Sequence, residues 1–306
     1  MFTNRRLNEA YRTATVKIFD KNSKFVFFSD THRGDDSISD EFARNQALMV
    51  SALRYYYERD YTYVEVGDGD ELWEHKSFKH IRTAHTDIFT VLKKFFQKDR
   101  MIIIYGNHNI CMKYPAYVRR NYYSFYDEYQ DKQVALFPKI KPIEALVLKH
   151  SETNQEILVL HGHQGDFLND QFWRPTMFAL RYFWKFMHLV GFRNPASPAK
   201  NQSKRHKIEK NYAKWIEKNQ KMLICGHTHR FKFPKNGQYP YFNTGCGIHT
   251  KGVSCIEIVN DEVMLIQWRI EANRQGIMHV VRNIIRGPRP IKEFDMRNHD
   301  VSNHTT

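Results

Sequence analysis

The most informative residues of this 306-residue chain are the polar side chains of five short motifs. Each motif follows a hydrophobic run, and together they supply two carboxylates, one amide and several imidazoles. That combination of ligands suits a pair of divalent metal ions. One such motif would carry little information, but five in order predict a metal site. The motifs are Asp30-Thr31-His32, Gly67-Asp68, Gly106-Asn107-His108, His161-Gly162-His163 and Gly226-His227-Thr228-His229.

A site of this kind would hydrolyse a phosphate ester. At neutral pH the reaction needs a nucleophile stronger than water and positive charge beside the phosphoryl oxygens, and two divalent ions about 3.5–4 Å apart supply both. A shared carboxylate can hold two cations that close, because each of its oxygens can face one ion. Neutral His and Asn ligands then leave the site positive for an anionic substrate. No cysteine occupies a ligand position of the motifs, so a structural Cys–zinc site is not indicated.

The hydrophobic runs before the motifs predict the buried strands that would position them. Between the first three runs, Asp40–Arg59 and Thr83–Lys98 have a helical pattern, which gives the βαβ order of a parallel sheet. Ligands of such sheets collect beyond the carboxyl ends of the strands. We therefore expect all five motifs at one rim. The runs are Phe25–Phe28, Tyr63–Val66, Met101–Ile104, Ile157–Leu160 and Met222–Ile224.

The chain after the fifth motif has a different pattern. Tyr239–Thr244, Val253–Val259 and Val263–Ile270 are short and strand-like, and Asn260-Asp261-Glu262 predicts a turn between the last two. We expect these segments to form a second, antiparallel layer packed on the first sheet. The polar tail Met296–Thr306 is expected to be frayed.

The five motifs resemble those of the calcineurin-like metallophosphoesterases: Asp-x-His, Gly-Asp-x-x-Glu, Gly-Asn-His, His-Gly-His and Gly-His-Thr-His, over roughly Phe25 to Trp268. The resemblance implies an α/β fold, a four-layer α/β/β/α sandwich with a helical cap insertion. It predicts one metallophosphoesterase domain over residues 1–270, with the cap at about 166–221. Residues 271–306 would form a C-terminal extension with a partly disordered tail. The implied activity is metal-dependent hydrolysis of a phosphate ester or pyrophosphate bond.

The resemblance also assigns the metal ligands. The bridge between the two ions would be Asp68, and mixed nitrogen and oxygen ligands suit Mn first, with Fe, Zn or Co as alternatives. The first ion would be held by Asp30, His32, Asp68 and His229, and the second by Asp68, Asn107, His161 and His227.

His108 is the catalytic residue that the resemblance implies. It would contact the substrate phosphate and protonate the leaving oxygen. Family members usually carry an acidic residue directly after this histidine, whereas this chain has Asn109. The amide oxygen of Asn109 is expected to orient the imidazole, although it cannot stabilise an imidazolium as a carboxylate would.

Five further residues beside the motifs are expected to support the reaction. Arg33 and Arg230 could clamp phosphate with two hydrogen bonds each, or face solvent. His163 is expected on the substrate side. Asp70 and Glu71 would anchor histidines or cap the following helix, and Glu71 is the better match to the family position.

Residues Asp166–Lys221 form a basic, aromatic insertion, with twelve Lys or Arg against four Asp or Glu. Together with Gly67–Trp73 and His161–Asp166, this insertion resembles the branch that contains UDP-2,3-diacylglucosamine hydrolase, in which a helical cap covers an acyl-chain pocket. That hydrolase typically has Arg where this chain has His108. The resemblance implies a nucleotide-sugar or lipid-linked substrate. The aromatic residues could instead pack within a cap helix or form a homodimer contact; the candidates are Trp173, Phe183, Trp184 and Phe186.

The formal net charge of +14 indicates an anionic partner: a phosphorylated small molecule, nucleic acid or an acidic membrane surface. The alternative is that the charge only prevents self-association. The N-terminus has no apolar signal region, and no apolar run reaches the ~18 residues of a membrane span. Four cysteines without CxxC spacing fit a reducing interior. These features predict a cytoplasmic protein, with peripheral membrane contact left open.

Three other functions stay open. A protein Ser/Thr phosphatase uses the same metal core but needs an open groove, which a bulky cap would block. A nuclease or phosphodiesterase acting on nucleic acid would suit the charge, although no recognisable DNA-binding module follows the core. A non-catalytic binding protein would be expected to have lost metal ligands, and none is missing.

Overall fold

The computed structural model describes residues 2–184 and 201–298. Its main helices are α1 (Phe2–Arg12), α2 (Gln46–Glu58), α3 (Phe78–Ala84), α4 (Thr86–Gln97), α5 (Pro115–Tyr122), α6 (Trp173–Ala179) and α7 (Gln202–Asn219). Its strands are β1 (Thr15–Phe19), β2 (Phe25–Phe28), β3 (Thr62–Val66), β4 (Met101–Ile104), β5 (Ser124–Asp127), β6 (Lys132–Ala135), β7 (Ala145–His150), β8 (Glu156–Leu160), β9 (Met222–Cys225), β10 (Tyr241–Asn243), β11 (Val253–Val259), β12 (Glu262–Ala272) and β13 (Met278–Pro290).

Within these ranges the strands form two large sheets and one small hairpin. The first sheet has the order β13-β12-β11-β2-β3-β4, in which β2, β3 and β4 are parallel. The second sheet has the order β1-β7-β8-β9-β10. Strands β5 and β6 pair only with each other.

The two sheets pack face to face and carry helices on their outer faces. Strand β2 shows the arrangement, because its side chains alternate between two hydrophobic cores. Phe25 and Phe27 pack between the sheets, whereas Val26 and Phe28 pack against α2 and α4. On the far side of the second sheet, α1 and α7 cover a third core that includes Trp215. The four-layer α/β/β/α sandwich is therefore confirmed.

The prediction that the segments after the fifth motif form a second, antiparallel layer is wrong for the last two of the three segments. The first segment contains β10, which does lie in the second sheet but pairs parallel with β9. Strand β11 pairs antiparallel with β2, with Ile256 opposite Phe27, and β12 continues the same sheet. Instead, the strands before the fourth and fifth motifs, β8 and β9, belong to the second sheet. Six of the seven residues of β11 are buried, so both faces of this strand are covered, and both of its edges pair with other strands. The hydrophobic pattern of a single strand does not reveal which other strands pair with it.

The chain beyond Ile270 continues the first sheet. Strand β13 pairs with β12 along most of its length, with a register shift near Leu265. The next turn buries Ile291 and Phe294 in the core between the sheets. Of the tail Met296–Thr306 that was expected to be frayed, Met296–Asn298 instead form a 3-10 turn that buries Met296 in the third core, and residues 299–306 lie outside the described residues.

The described part of the insertion consists of a loop, α6, a π-helical turn at Leu180–Trp184 and α7. Residues 185–200, which include Phe186 of the predicted dimer contact, lie outside the described residues. Among the residues described, no helix has the length and hydropathy needed to cross a membrane.

Candidate metal centre

The five motifs meet where the ends of the two sheets adjoin. Loops after β2, β3 and β4 reach this place from the first sheet, and loops after β8 and β9 reach it from the second. In the described part of the chain, three groups of side chains have ligand atoms within 4.8 Å of one another, and two of them each contain three of the four residues of a predicted ligand set. The groups are Asp30, His32 and His229; Asp68, His161 and His227; and His32, Glu71 and His108.

Asp30 lies at the centre of the first group and is fully buried. Its Oδ2 accepts a hydrogen bond from the backbone N–H of His227 at 2.9 Å. Its Oδ1 lies 3.2 Å from His229 Nε2 and 3.8 Å from His32 Nε2, yet no aligned hydrogen bond reaches it. An unsatisfied buried carboxylate oxygen is costly. A cation between Asp30 and the two imidazoles would satisfy it.

The second group is organised around His161. Its Nδ1 lies 2.9 Å from the carbonyl oxygen of Val66, a contact that places the proton on Nδ1. Its Nε2 lies 3.0 Å from Asp68 Oδ2 and 3.2 Å from Asn107 Oδ1. Three possible ligand atoms that converge on one point are the arrangement expected around a metal ion.

Asp68 lies between the two groups. Its Oδ2 is 3.0 Å from His161 Nε2 and 3.9 Å from His32 Nε2, and these histidines belong to different groups. Its Oδ1 accepts the backbone N–H of His108 at 2.8 Å. Asp68 Oδ2 thus faces imidazoles of both groups.

Both carboxylates are anions near neutral pH. Burial raises the pKa of Asp30, but the imidazoles of His229 and His161 outweigh burial and bring that pKa well below its usual value. The same balance, with His161 and His108 as the neighbours, lowers the pKa of Asp68. Two buried carboxylates among imidazoles fit a divalent cation that accepts both oxygen and nitrogen ligands.

The backbone at these ligands is unusual. Five of the seven predicted ligands have φ between 45° and 67°, the left-handed region that non-glycine residues rarely adopt. Such conformations cost about 1–3 kcal/mol each and cluster at functional sites. They turn the chain sharply at the strand ends. The five are Asp30, His32, Asp68, His227 and His229.

Two glycines allow the ligands to pack closely. A Cβ on Gly67 would lie 2.4 Å from the imidazole of His161, and φ at Gly67 is +82°. A Cβ on Gly106 would lie 2.1 Å from Asp68 Oδ1. The glycine that begins each of these two motifs therefore makes room for a ligand from another motif.

His108 stands beside the first group and is held by Glu71 and Trp73. Its Nδ1 lies 2.7 and 2.8 Å from the two oxygens of Glu71. The carboxylate of Glu71 also lies 2.6 Å from His32 Nδ1. The indole of Trp73 stacks on the His108 ring with centroids 4.4 Å apart. Both contacts leave His108 Nε2 as the ring nitrogen that can transfer a proton.

The expectation for Asn109 needs correction. Its Oδ1 accepts the backbone N–H of Gly106 at 2.6 Å, and its Nδ2 has no hydrogen-bond partner among the described residues. The hydrogen bond that orients His108 comes from Glu71 instead. Asn109 therefore stabilises the turn before His108, a local role that short polar side chains often take.

Arg33 and His163 are buried. The guanidinium of Arg33 lies 2.8 Å from Asp70 and 2.9 Å from Glu65, so its donors face carboxylates inside the protein. This pairing contradicts a phosphate clamp at Arg33. The ring of His163 is 1% exposed and packs 5.5 Å from that of His161. Arg230 directly follows a predicted ligand and is exposed, as substrate binding requires.

Two supporting contacts were not predicted. Asp166 Oδ2 lies 3.4 Å from His227 Nε2 and 2.8 Å from the ammonium of Lys204. A carboxylate on the outer nitrogen of a metal-bound imidazole is a common way to fix its ring. The second contact joins Tyr122 to Asp70 at 2.7 Å. Both carboxylates stand in or beside the motifs, but only a structure shows their partners.

Comparison with known proteins agrees with this geometry. The family model described as calcineurin-like phosphoesterase matches residues 23–231. Vps29 from Chaetomium thermophilum is a structural neighbour with 11% identity, 86% of this chain and 97% of that chain covered, and a TM-score of 0.36. A cold-active protein tyrosine phosphatase is another, with 10% identity, 88% and 81% covered, and a TM-score of 0.37. Both structural likenesses are distant, and the search of curated proteins found no similar sequence.

The family match spans all five motifs and includes all the ligand groups described above. Members of this family hydrolyse phosphoric esters with bound metal ions. The chain belongs to the calcineurin-like phosphoesterase family and is a metal-dependent hydrolase of phosphoric esters.

Proposed function

We propose that the protein is a phosphohydrolase with two metal ions, the first held by Asp30, His32, Asp68 and His229 and the second by Asp68, Asn107, His161 and His227. The observation that carries this proposal is the position of Asp68 between two groups of imidazoles. The unsatisfied Oδ1 of Asp30 supports it. Manganese is the first choice of metal, with Fe, Zn or Co as alternatives.

When bound, a pair of divalent ions would supply an activated nucleophile and neutralise the charge of the phosphoryl group. The residues of the chain would do the rest. Glu71 would fix the His108 ring through Nδ1, and His108 Nε2 would deliver a proton to the departing oxygen. Trp73 limits the rotation of that ring by stacking on it. The exposed Arg230 would bind a phosphoryl oxygen.

The proposed substrate is a phosphorylated small molecule or lipid-linked compound, such as a nucleotide-sugar derivative. The described part of the insertion supports a substrate that has an apolar portion, because four of its aromatic side chains are exposed. They are Phe167, Phe172, Phe178 and Tyr182. Arg181 ties this part to the site by donating two hydrogen bonds of 2.7 Å, to the carbonyl oxygens of Leu72 and Trp73. The same exposed rings would serve peripheral membrane contact or a homodimer, the other partners proposed for this surface.

A substrate panel tests this proposal. Purified protein would be loaded with Mn, Fe, Zn or Co and assayed on p-nitrophenyl phosphate, bis-p-nitrophenyl phosphate, and nucleotide, nucleotide-sugar and lipid phosphates. We expect turnover of the aryl phosphates and preference for a lipid-linked or nucleotide-sugar compound. Salt-dependent DNA binding with diesterase activity would favour a nuclease instead. No turnover with any metal would favour a binding protein.

A variant of the insertion tests its part in substrate choice. Arg181→Ala removes both contacts to the Leu72–Trp73 backbone, so the insertion loses its anchor at the site. We expect lower kcat/KM for the bulky substrate, with kcat/KM for p-nitrophenyl phosphate changed by less than about twofold. Equal losses on both substrates would contradict a role for the insertion in substrate selection.

A further inference from the structure

A basic cleft lies next to the metal centre, between α7, the segment after the fifth motif and strands β12 and β13. Its volume is about 530 Å³. Its cations are Arg205, Arg230, Lys232, Lys235 and Arg286, and its one carboxylate is Glu209. Like charges gathered in a concave surface raise the local positive potential and attract anions. The cleft is therefore suited to a multiply charged anion.

Most of these cations are not neutralised by the protein. The carboxylate of Glu209 lies 3.0 Å from Lys232 Nζ. In the part of the chain that the structure describes, no carboxylate lies within 4.0 Å of the charged groups of Arg205, Arg230 or Lys235. On an ordinary solvated surface, charges of both signs alternate, whereas this cleft is lined by five cations and one carboxylate. An anionic ligand would supply the missing counter-charge.

Helix α7 presents one of its sides to the cleft. The helix residues that line the cleft are spaced by three or four positions or adjoin such positions, so they share that side. They are Gln202, Arg205, His206 and Glu209. The residues that anchor the helix, Tyr212, Trp215 and Ile216, are buried in the core beneath it. The helix thus holds its cations on a rigid element, which favours a defined binding site.

Two elements that line the cleft also carry residues connected to the metal centre. Arg230, at its edge, directly follows the predicted ligand His229. Helix α7 also carries Lys204, which binds Asp166, and Asp166 in turn contacts His227. A ligand with one phosphate at the metal centre therefore has a second cationic surface next to it. The ring of Phe231 is 43% exposed at this cleft and offers an apolar contact.

We propose that the basic cleft is a substrate subsite that binds a second phosphate group of a compound with at least two phosphates. This assignment rests on the proposed function, because it presumes that the first phosphate is hydrolysed at the metal centre. Arg205 and Lys235 bind the second phosphate by charge-assisted hydrogen bonds. They are positioned to select the substrate and take no part in the chemical step.

Calorimetric titration with inorganic pyrophosphate, without divalent metal, tests the cleft separately from the metal centre. The starting protein carries Asp68→Ala, which removes the predicted bridging ligand. We expect this protein to bind pyrophosphate, and the added pair Arg205→Glu and Lys235→Glu to weaken binding at least about tenfold. The matched control is Lys132→Glu, an exposed lysine on β6 outside the cleft, and it should change nothing. Absent binding, or binding indifferent to the cleft pair, would overturn the proposal.

Inhibition of p-nitrophenyl phosphate hydrolysis tests the link to the substrate. In metal-loaded protein with native Asp68, fructose 1,6-bisphosphate should inhibit more strongly than fructose 6-phosphate. The cleft pair should remove that difference and leave kcat/KM for p-nitrophenyl phosphate within about twofold. Equal inhibition by the two sugars in the native protein would overturn the subsite. Failure of the native protein to hydrolyse any ester would instead refute the proposed function, and the pyrophosphate titration would distinguish the two failures.

Discussion

Glu71 binds two histidines that belong to different motifs. Its carboxylate lies 2.6 Å from His32 Nδ1 and 2.7 Å from His108 Nδ1, and burial among these imidazoles leaves its pKa well below the usual value. Burial alone would raise that pKa, but the attraction of His108 and His32 is stronger. One anion therefore orients both a predicted metal ligand and the predicted proton donor.

The substitution Glu71→Gln tests this dual role. Gln keeps the size of the side chain but loses the charge and one acceptor, so both rings should lose their fixed orientation. We expect kcat on p-nitrophenyl phosphate to fall by about 10–100-fold, together with weaker metal binding. The exposed Glu58→Gln serves as the control and should leave both unchanged. Native-like kcat and metal affinity in Glu71→Gln would contradict the assignment.

The residue types of the ligands were predictable from the sequence, whereas several partners were not. Asp30 and Asp68 stand at strand ends in recognisable motifs, and the structure brings them together with the predicted histidines. Glu71 was expected to anchor histidines and lies beside His32 and His108, whereas the contact to His108 that was expected from Asn109 is not formed. Hydrogen bonds between motifs depend on how strands far apart in sequence are placed, and local sequence does not specify that placement.

At the scale of secondary-structure elements, the tight turns that follow β3 and β4 bring the backbone against the predicted ligands. The turn at Gly106 brings the chain so close to Asp68 that a Cβ there would lie 2.1 Å from Oδ1. The turn at Gly67 brings its backbone against His161 in the same way. The turn at Gly67 therefore joins the first sheet to a ligand of the second, whereas the turn at Gly106 packs against a ligand of its own sheet.

A methyl group at Gly106 should displace Asp68. We expect Gly106→Ala to lose most of its bound metal and activity while keeping a native far-UV circular dichroism spectrum, because the clash lies at the site and not in a hydrophobic core. Gly276→Ala is the control, since a Cβ there would meet no atom within 4 Å. The control should keep its activity, although its positive φ lowers stability by roughly 1 kcal/mol. Full metal occupancy in Gly106→Ala would show that the turn tolerates a side chain.

The strands and the parallel order of β2, β3 and β4 were predictable from hydrophobic runs and the helices between them. The pairing of β11 with β2 was not, because both strands are buried on both faces. A strand with one solvent-exposed face shows alternating polar and apolar residues, and these two strands do not. Strand β1 was not predicted for another reason: its sequence, Thr-Val-Lys-Ile-Phe, lacks an apolar run like those that precede the motifs.

At the scale of the whole molecule, two sheets jointly build one charged site. Anionic ligands of the first sheet, Asp30 and Asp68, face His161 and His227 from the second. A bound cation would therefore connect the two halves of the sandwich. It would also offset the strain of the left-handed ligand backbone.

Metal binding should stabilise the whole fold. A ligand that binds only the folded state at about 100 times its Kd adds about 2.7 kcal/mol to the free energy of unfolding. We expect Mn²⁺ at that concentration to raise Tm by roughly 5 °C over protein treated with a chelator, as measured by calorimetry. An equal concentration of Mg²⁺, which prefers oxygen ligands, should give a smaller increase. A Tm that does not respond to any divalent metal would contradict a preformed metal centre.

The metal content of purified protein tests the central claim most directly. Elemental analysis would compare the native chain with Asp68→Asn and with Asp99→Asn, an exposed aspartate of nearly the same left-handed φ, 53° against 50°. We predict two divalent ions per chain in the native protein and in Asp99→Asn, and fewer than one in Asp68→Asn, whose activity should fall by at least about 100-fold. Two ions retained in Asp68→Asn, or none in the native protein, would contradict a pair of metals bridged by Asp68.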